Sequence, residues 1–245
     1  MRLAAVAAAA AAAAALAGCS PFAVTPPART FALDSPITPP VGHGDVQLDI
    51  ASSGQPIFGP TIDSAGGQLR TTIAPNTTIV AGAERMSVEN ASDQQAASWA
   101  YAGRVGAVLA TDDHRAAFTF GAGGGTAPAA GSWGSIDFGG VVTGKNHWIR
   151  PLLALSVGYN APLSRRPFTI TDSDGEDPVT LQLPSDIMVR VDFGLELGPP
   201  RCALIAGVSG VHFWMLEPDV ISGNGDPSTD EGFMMLGLAT RISLD

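Results

Sequence analysis

His212 is the side chain whose type and surroundings come closest to catalysis. Ser209, Glu217 and Asp219 lie within a few positions of it. A base, a carboxylate that orients it and a hydroxyl nucleophile are the parts of a hydrolase. No established catalytic motif contains these spacings. Phe213 and Trp214 follow His212 directly, so the sequence favours a histidine within an aromatic belt, and no catalytic residue is assigned. "DSDGED" concentrates Asp172, Asp174, Glu176 and Asp177. Carboxylates so spaced can hold calcium, but the glycine arrives too early for an EF-hand loop and no glutamate follows at the twelfth position. The flanking "FTIT" and "VTLQL" make this run the solvated tip of a hairpin, with a loop cation site as the minor reading. "GAGGG" at 121–125 is no phosphate cradle, because no helix follows it. His114 and His147 fall in short, solvated turns. Two cysteines and four scattered histidines do not make a zinc set. Neither a metal nor a cofactor is expected.

The compartment is written in the first nineteen residues. Arg2 gives a positive start, Leu3 to Leu16 is nearly all alanine and leucine, and small residues precede Cys19. This is the pattern of a secretory signal peptide, too short to cross as a transmembrane helix. The ending "LAGC", Leu16 to Cys19, resembles the lipobox of bacterial lipoproteins. The resemblance implies cleavage before Cys19, a diacylglycerol on its thiol and an acylated amino terminus. In that family a serine in the next position, here Ser20, goes with the outer membrane. Removing residues 1–18 takes Arg2 from the 13 basic residues and leaves 23 acidic ones, a formal charge of −11. Such a surface repels nucleic acid. With Cys19 lipidated, Cys202 is the remaining thiol and no internal disulfide forms.

The elements that must position these residues are strands. Ser20 to Gly44 holds six prolines and no apolar period. It reads as an extended tether, residues 19–44, between lipid and fold. From Asp45 the texture changes to apolar alternation cut by Gly, Pro, Asn and Asp. Ten strands are predicted, near 45–52, 66–73, 77–86, 98–110, 115–124, 132–143, 148–160, 186–198, 202–215 and 232–244. "APN", "TDDH", "GKN" and "GPPR" are short turns, while 53–65, 87–97, 125–131, 161–185 and 216–231 are longer. Short and long connections alternate, so the long ones share one end of an up-and-down meander. An even strand number puts both barrel termini on the short-turn side, where a lipid in the periplasmic leaflet would lie. Strands 77–86 and 202–215 are weakly patterned, and a bulge near Gly207 or Gly210 could flip the register.

The faces carry the argument further. In "IMVRVDFGLEL" the odd positions Ile187 to Leu197 are all apolar, while the even ones carry Arg190, Asp192 and Glu196. Alternate residues of a strand point to opposite faces. Elsewhere the second face mixes isolated charges with Gly, Ala and Ser. Glycine is a poor strand former on a solvated face, but small residues and charge pairs suit a narrow lumen. Arg104, Arg150 and Arg190 are expected to pair there with Asp137, Asp192 and Glu196, since buried charges must be compensated. Eleven residues at about 3.3 Å, tilted by about 45°, span roughly 26 Å, close to a membrane's apolar band. Trp99, Tyr101, Trp133, Tyr159, Trp214 and Phe233 gather towards the long-loop end, as an interfacial girdle would.

From about residue 45 the chain therefore resembles small outer-membrane β-barrels. The resemblance implies a closed all-β barrel with short periplasmic turns and long external loops. It implies a monomer partnered by outer-membrane lipids, with an unknown surface or periplasmic partner. Such barrels usually end on an aromatic residue, whereas this chain ends "RISLD". The leading expectation is a lipid-anchored outer-membrane barrel with a structural or surface-interaction role. Two alternatives stand beside it. One is a soluble periplasmic lipoprotein with a lipocalin-like barrel or sandwich around an apolar ligand. The other is a rim hydrolase using His212.

Overall fold

The computed structural model describes residues 24–31, 33–54, 61–89, 98–146, 148–170, 178–222 and 230–244. Apolar alternation turns into strands in chain order: β1 (Gly44–Gly54), β2 (Thr61–Ala74), β3 (Thr77–Glu89), β4 (Ser98–Ala110), β5 (Ala116–Ala127), β6 (Gly131–Thr143) and β7 (Ile149–Arg165). They continue as β8 (Phe168–Ile170), β9 (Val179–Leu181), β10 (Asp186–Leu197), β11 (Cys202–Met215), β12 (Val220–Ser222) and β13 (Asp230–Leu244). Ten of these form a closed antiparallel up-and-down barrel. Its seam is β1 on β13, in register from Gly44↔Leu244 to Gly54↔Met234. The short strands β8, β9 and β12 form a separate sheet from the long connections. The β8–β9 hairpin matches the expected one, and its acidic tip lies outside the described residues.

The turns at one end are tight. Asn76 takes the left-handed conformation (φ 63°) between β2 and β3, and Gly198 (φ 112°) opens the turn into β11, a geometry costly for a residue with a Cβ. In the turn before β5, the Thr111 hydroxyl donates to Asp113 (2.7 Å). That bond and the Arg115 N–H hold this carboxyl below the usual carboxylate range. At the other end three connections are long, but residues 128–130 alone join β5 to β6 and residues 55–60 join β1 to β2, where 53–65 is the expected loop. The expected strict alternation fails between β5 and β6 because β5 runs through the glycines to Ala127. β11 keeps an unbroken register with β13 from Cys202↔Ile242 to Trp214↔Asp230, so the suspected flip at Gly207 or Gly210 does not occur.

The barrel is apolar outside and polar inside. Leu236 is 67% exposed and Phe138 62%, with Leu48, Val105, Leu155 and Phe193 exposed beside them on other strands. Arg70, Arg190, Arg241, Asp192 and Glu196 are buried in the interior. Of the aromatics gathered at the long-loop end, Trp99, Tyr101, Tyr159 and Trp214 are exposed on the outer wall, and the Arg85 guanidinium lies 3.2 Å over the Trp99 ring. Trp133 and Phe233 are instead buried inside. They share strand parity with Asp137 and Arg241, which face the lumen, so they belong to the interior and not to the expected girdle.

Candidate functional site: an occupied lumen

The lumen holds the chain's own residues 24–31 and 33–39. The segment expected as an outlying tether is packed inside for much of its described length: Thr25, Ala28 to Phe31 and Leu33 to Pro36 are buried. It lacks an apolar period because it touches walls on all sides, and its prolines keep it extended without a strand partner. It descends the barrel in order. At the long-loop end the Thr25 N–H donates to Asp186 (3.0 Å) and its hydroxyl to the Pro184 carbonyl (2.5 Å). Deeper, the Thr30 N–H donates to both oxygens of Glu84 (2.9 Å each). Arg29 pairs with Asp34 (2.9 Å) and with Asp49 of β1 (3.3 Å). Gln68 donates to Asp34 (2.8 Å). At the short-turn end the Ser35 hydroxyl donates to Glu196 (2.8 Å), and Arg70 donates to the Ser35 and Ile37 carbonyls (3.0 and 3.3 Å). Thr38 then meets His114 at 3.4 Å, and the Gly42 N–H donates to Thr72 (2.9 Å).

Two apolar side chains lock this plug into the wall. Phe31 and Leu33 are wholly buried. A Cβ on Gly237 would come within 2.0 Å of the Phe31 ring, and one on Gly207 or Gly194 within 2.2 or 2.6 Å of Leu33. The glycines on the inner face are therefore sockets, and close approach is what a glycine inside a strand marks. The same holds on β5, where Gly121 admits the Arg104 guanidinium and Gly125 admits Trp133.

The six charged residues expected in the lumen all face it, in three pairs. Arg104 grips Asp137 through two bonds, 2.7 and 2.6 Å. Arg150 meets Glu196 at 3.1 Å, and Glu196 also holds Arg241. Arg190 meets Asp192 at 2.8 Å and donates to the Arg29 carbonyl at 3.2 Å. The residues missed by sequence reasoning are the plug's own Arg29 and Asp34, with Asp49, Glu84 and Asp186 as its wall partners. Beside Ala28 and Arg104 a cavity of about 40 Å³ remains, room for a few water molecules and no more.

The parts of a rim hydrolase do not meet. His212 lies on the outer face, with its Nε2 3.5 Å from Asp230 and its ring edge-on to Trp214. Ser209, three positions earlier, faces the lumen and is bonded to Asp192. Glu217 pairs with Arg165, and Asp219 is buried. An apolar ligand inside the barrel is overturned as well, because the interior is charged and filled. His147, Asp172, Asp174, Glu176 and Asp177 lie outside the described residues. Among the described residues no group of acidic, His or Cys side chains is arranged for a metal.

No protein-family model matches the chain, and no curated protein matches it. Among solved structures, the N-terminal β-barrel domain of Pseudomonas aeruginosa OprF is similar over 82% of this chain and 97% of that one, at 11% identity and a TM-score of 0.34. Neisserial surface protein A (NspA) is similar over 82% of this chain and 96% of that one, at 11% identity and a TM-score of 0.40. CdiB from Acinetobacter baumannii is similar over 82% of this chain and 60% of that one, at 7% identity and a TM-score of 0.22.

Proposed function

We propose that this chain is an integral outer-membrane β-barrel protein, lipidated at Cys19, with a structural or surface-interaction role and no catalytic chemistry. The observation that carries the reading is the inversion of its two faces. A continuous apolar wall of exposed Leu, Ile, Val and Phe side chains encloses a buried interior of paired charges. Monomeric soluble proteins rarely expose apolar patches beyond a few hundred Å², and only a closed barrel or a helix satisfies its backbone inside lipid. The exposed apolar run from Ile187 to Leu197 is about 33 Å along β10, or roughly 25 Å along the axis at the usual strand tilt. A filled lumen supports a role other than diffusion, which leaves the long loops as the recognition surface.

The experiment separates the barrel from its lipid. Cys19 is replaced, export is driven by a signal cleaved by the ordinary peptidase, and membranes are washed with alkaline carbonate. The unlipidated chain is expected to stay in the outer-membrane pellet and to shift on unheated gels. Its appearance in the soluble periplasm would sink the reading. The wall gives an independent check. Phe193→Arg, near the middle of β10, is expected to cost about 2–4 kcal/mol when the protein refolds into lipid vesicles. On a wall facing water, a surface change of this kind stays within about 0.5 kcal/mol.

A further inference from the structure

The plug decides which face of the membrane receives the lipid. β1 begins at the short-turn end, so a simple tether would leave the lipid there. The chain before β1 instead runs the length of the lumen, and Thr25 is tied to Asp186 and Pro184 at the long-loop end. Its neighbour Val24 packs against the buried cluster that includes Met188, Phe213 and Phe233. Cys19 lies six positions before Thr25. Fully extended, that stretch reaches about 20 Å. A return to the short-turn face would require leaving the lumen, crossing the rim and covering roughly 25 Å of apolar wall. The route back through the lumen is closed by the plug itself.

We infer that the plug carries the amino terminus through the barrel, so that the acyl groups on Cys19 enter the external leaflet beside the long loops. This rests on the lipidation proposed above and names the leaflet that receives it. The lipid and the barrel then hold the same membrane from one side, and the plug is fixed at both ends: by the acyl chains above and by the covalent start of β1 below.

Thiol accessibility tests this on intact cells making the full-length lipoprotein. Cys202, exposed at the short-turn end, is a built-in marker of the opposite face. Ala23→Cys is made in a Cys202→Ser background and compared with the native chain, using a polyethylene-glycol maleimide too large for outer-membrane pores. The Ala23→Cys protein is expected to react on intact cells to the level seen after permeabilisation, while Cys202 reacts only after permeabilisation. Protection of Ala23→Cys on intact cells overturns the inference, whether it then reacts on permeabilisation or only on denaturation. Reaction of Cys202 on intact cells overturns it too, and shows the barrel inverted. If Ala23→Cys fails to give the heat-shifted form, a short epitope after Pro21, read by antibody on intact cells, answers the same question. Incorporation of an alkyne-tagged fatty acid, lost in Cys19→Ala, reports the lipid separately. Its absence removes the lipidation reading and leaves the maleimide pattern as a test of the threading.

Discussion

Glu196→Ala is expected to destabilise the barrel by about 3–5 kcal/mol, the cost of leaving a buried ionic partner uncompensated. Glu196 is wholly buried. Its carboxylate accepts from Arg150 through both Nε (3.2 Å) and Nη2 (3.1 Å), from Arg241, and from Ser35 of the plug (2.8 Å). Removing it takes from two buried guanidiniums the carboxylate they share, with Asp45 the remaining acidic neighbour of Arg241. Arg150 also donates to the Gly198 carbonyl (3.0 Å), a neutral acceptor that does not replace the Glu196 carboxylate. The measurement is urea unfolding in detergent micelles, followed by the gel shift of the folded form. The triple substitution Glu196→Leu, Arg150→Met, Arg241→Met is expected to recover most of the loss, because buried ionic groups replaced together by apolar ones cost little or nothing. If the triple variant is no better than Glu196→Ala, the deficit is one of packing and the charge argument is wrong.

The second large effect concerns the plug's apolar lock. Phe31→Ala is expected to cost about 3–5 kcal/mol, as phenylalanine truncations in filled cores do. Gly237→Leu in the native background is expected to cost at least as much, since even its Cβ would sit 2.0 Å from the Phe31 ring. The two changes together are expected to cost much less than their sum, because the leucine occupies the space the ring leaves. A coupling of several tenths to 3 kcal/mol is the usual range for residues in contact. Limited proteolysis within 24–35 provides the readout: both single variants become cleavable in this segment and the double variant regains protection. Additive effects would mean that the ring and the glycine do not share that space in solution.

Much of the barrel was legible because strand parity is a strict code. The expected bounds of β10 and β11 lie within a residue of those in the structure, and parity puts Arg104, Arg150, Arg190, Asp137, Asp192 and Glu196 on inner faces; which arginine meets which carboxylate comes from the register and not from parity. The same code contained the answers that were missed. Trp133 shares parity with Asp137, and Phe233 with Arg241, so both belonged inside. Ser209 and His212 differ in parity and could not serve one site. The plug was illegible for a different reason. A segment buried on every side by a surrounding wall has no amphipathic period, and its prolines look like those of a solvated linker. Its signal lay elsewhere in the chain, in Gly194, Gly207 and Gly237. Glycines on an inner face imply that something fills the space before them. The β5–β6 connection is shorter than the expected 125–131, because the strand ending expected at 124 runs on through Gly125, which admits Trp133, to Ala127.

The seam between β1 and β13 sets an order of events. Its partners lie about 200 residues apart, and contacts so distant in sequence form slowly. The plug immediately precedes β1, and the cavity left beside Ala28 and Arg104 measures about 40 Å³. If the amino terminus is lipidated and threaded as proposed, it cannot be drawn through such a passage once it is shut. The sheet must therefore curl around the plug while still open, and the β1–β13 seam must be the final ladder to form. On the threading proposed above, newly made chains have to remain unclosed until the short stretch before Thr25 has reached the long-loop end, so the time spent open, more than the stability of the closed form, would govern how much protein reaches the membrane.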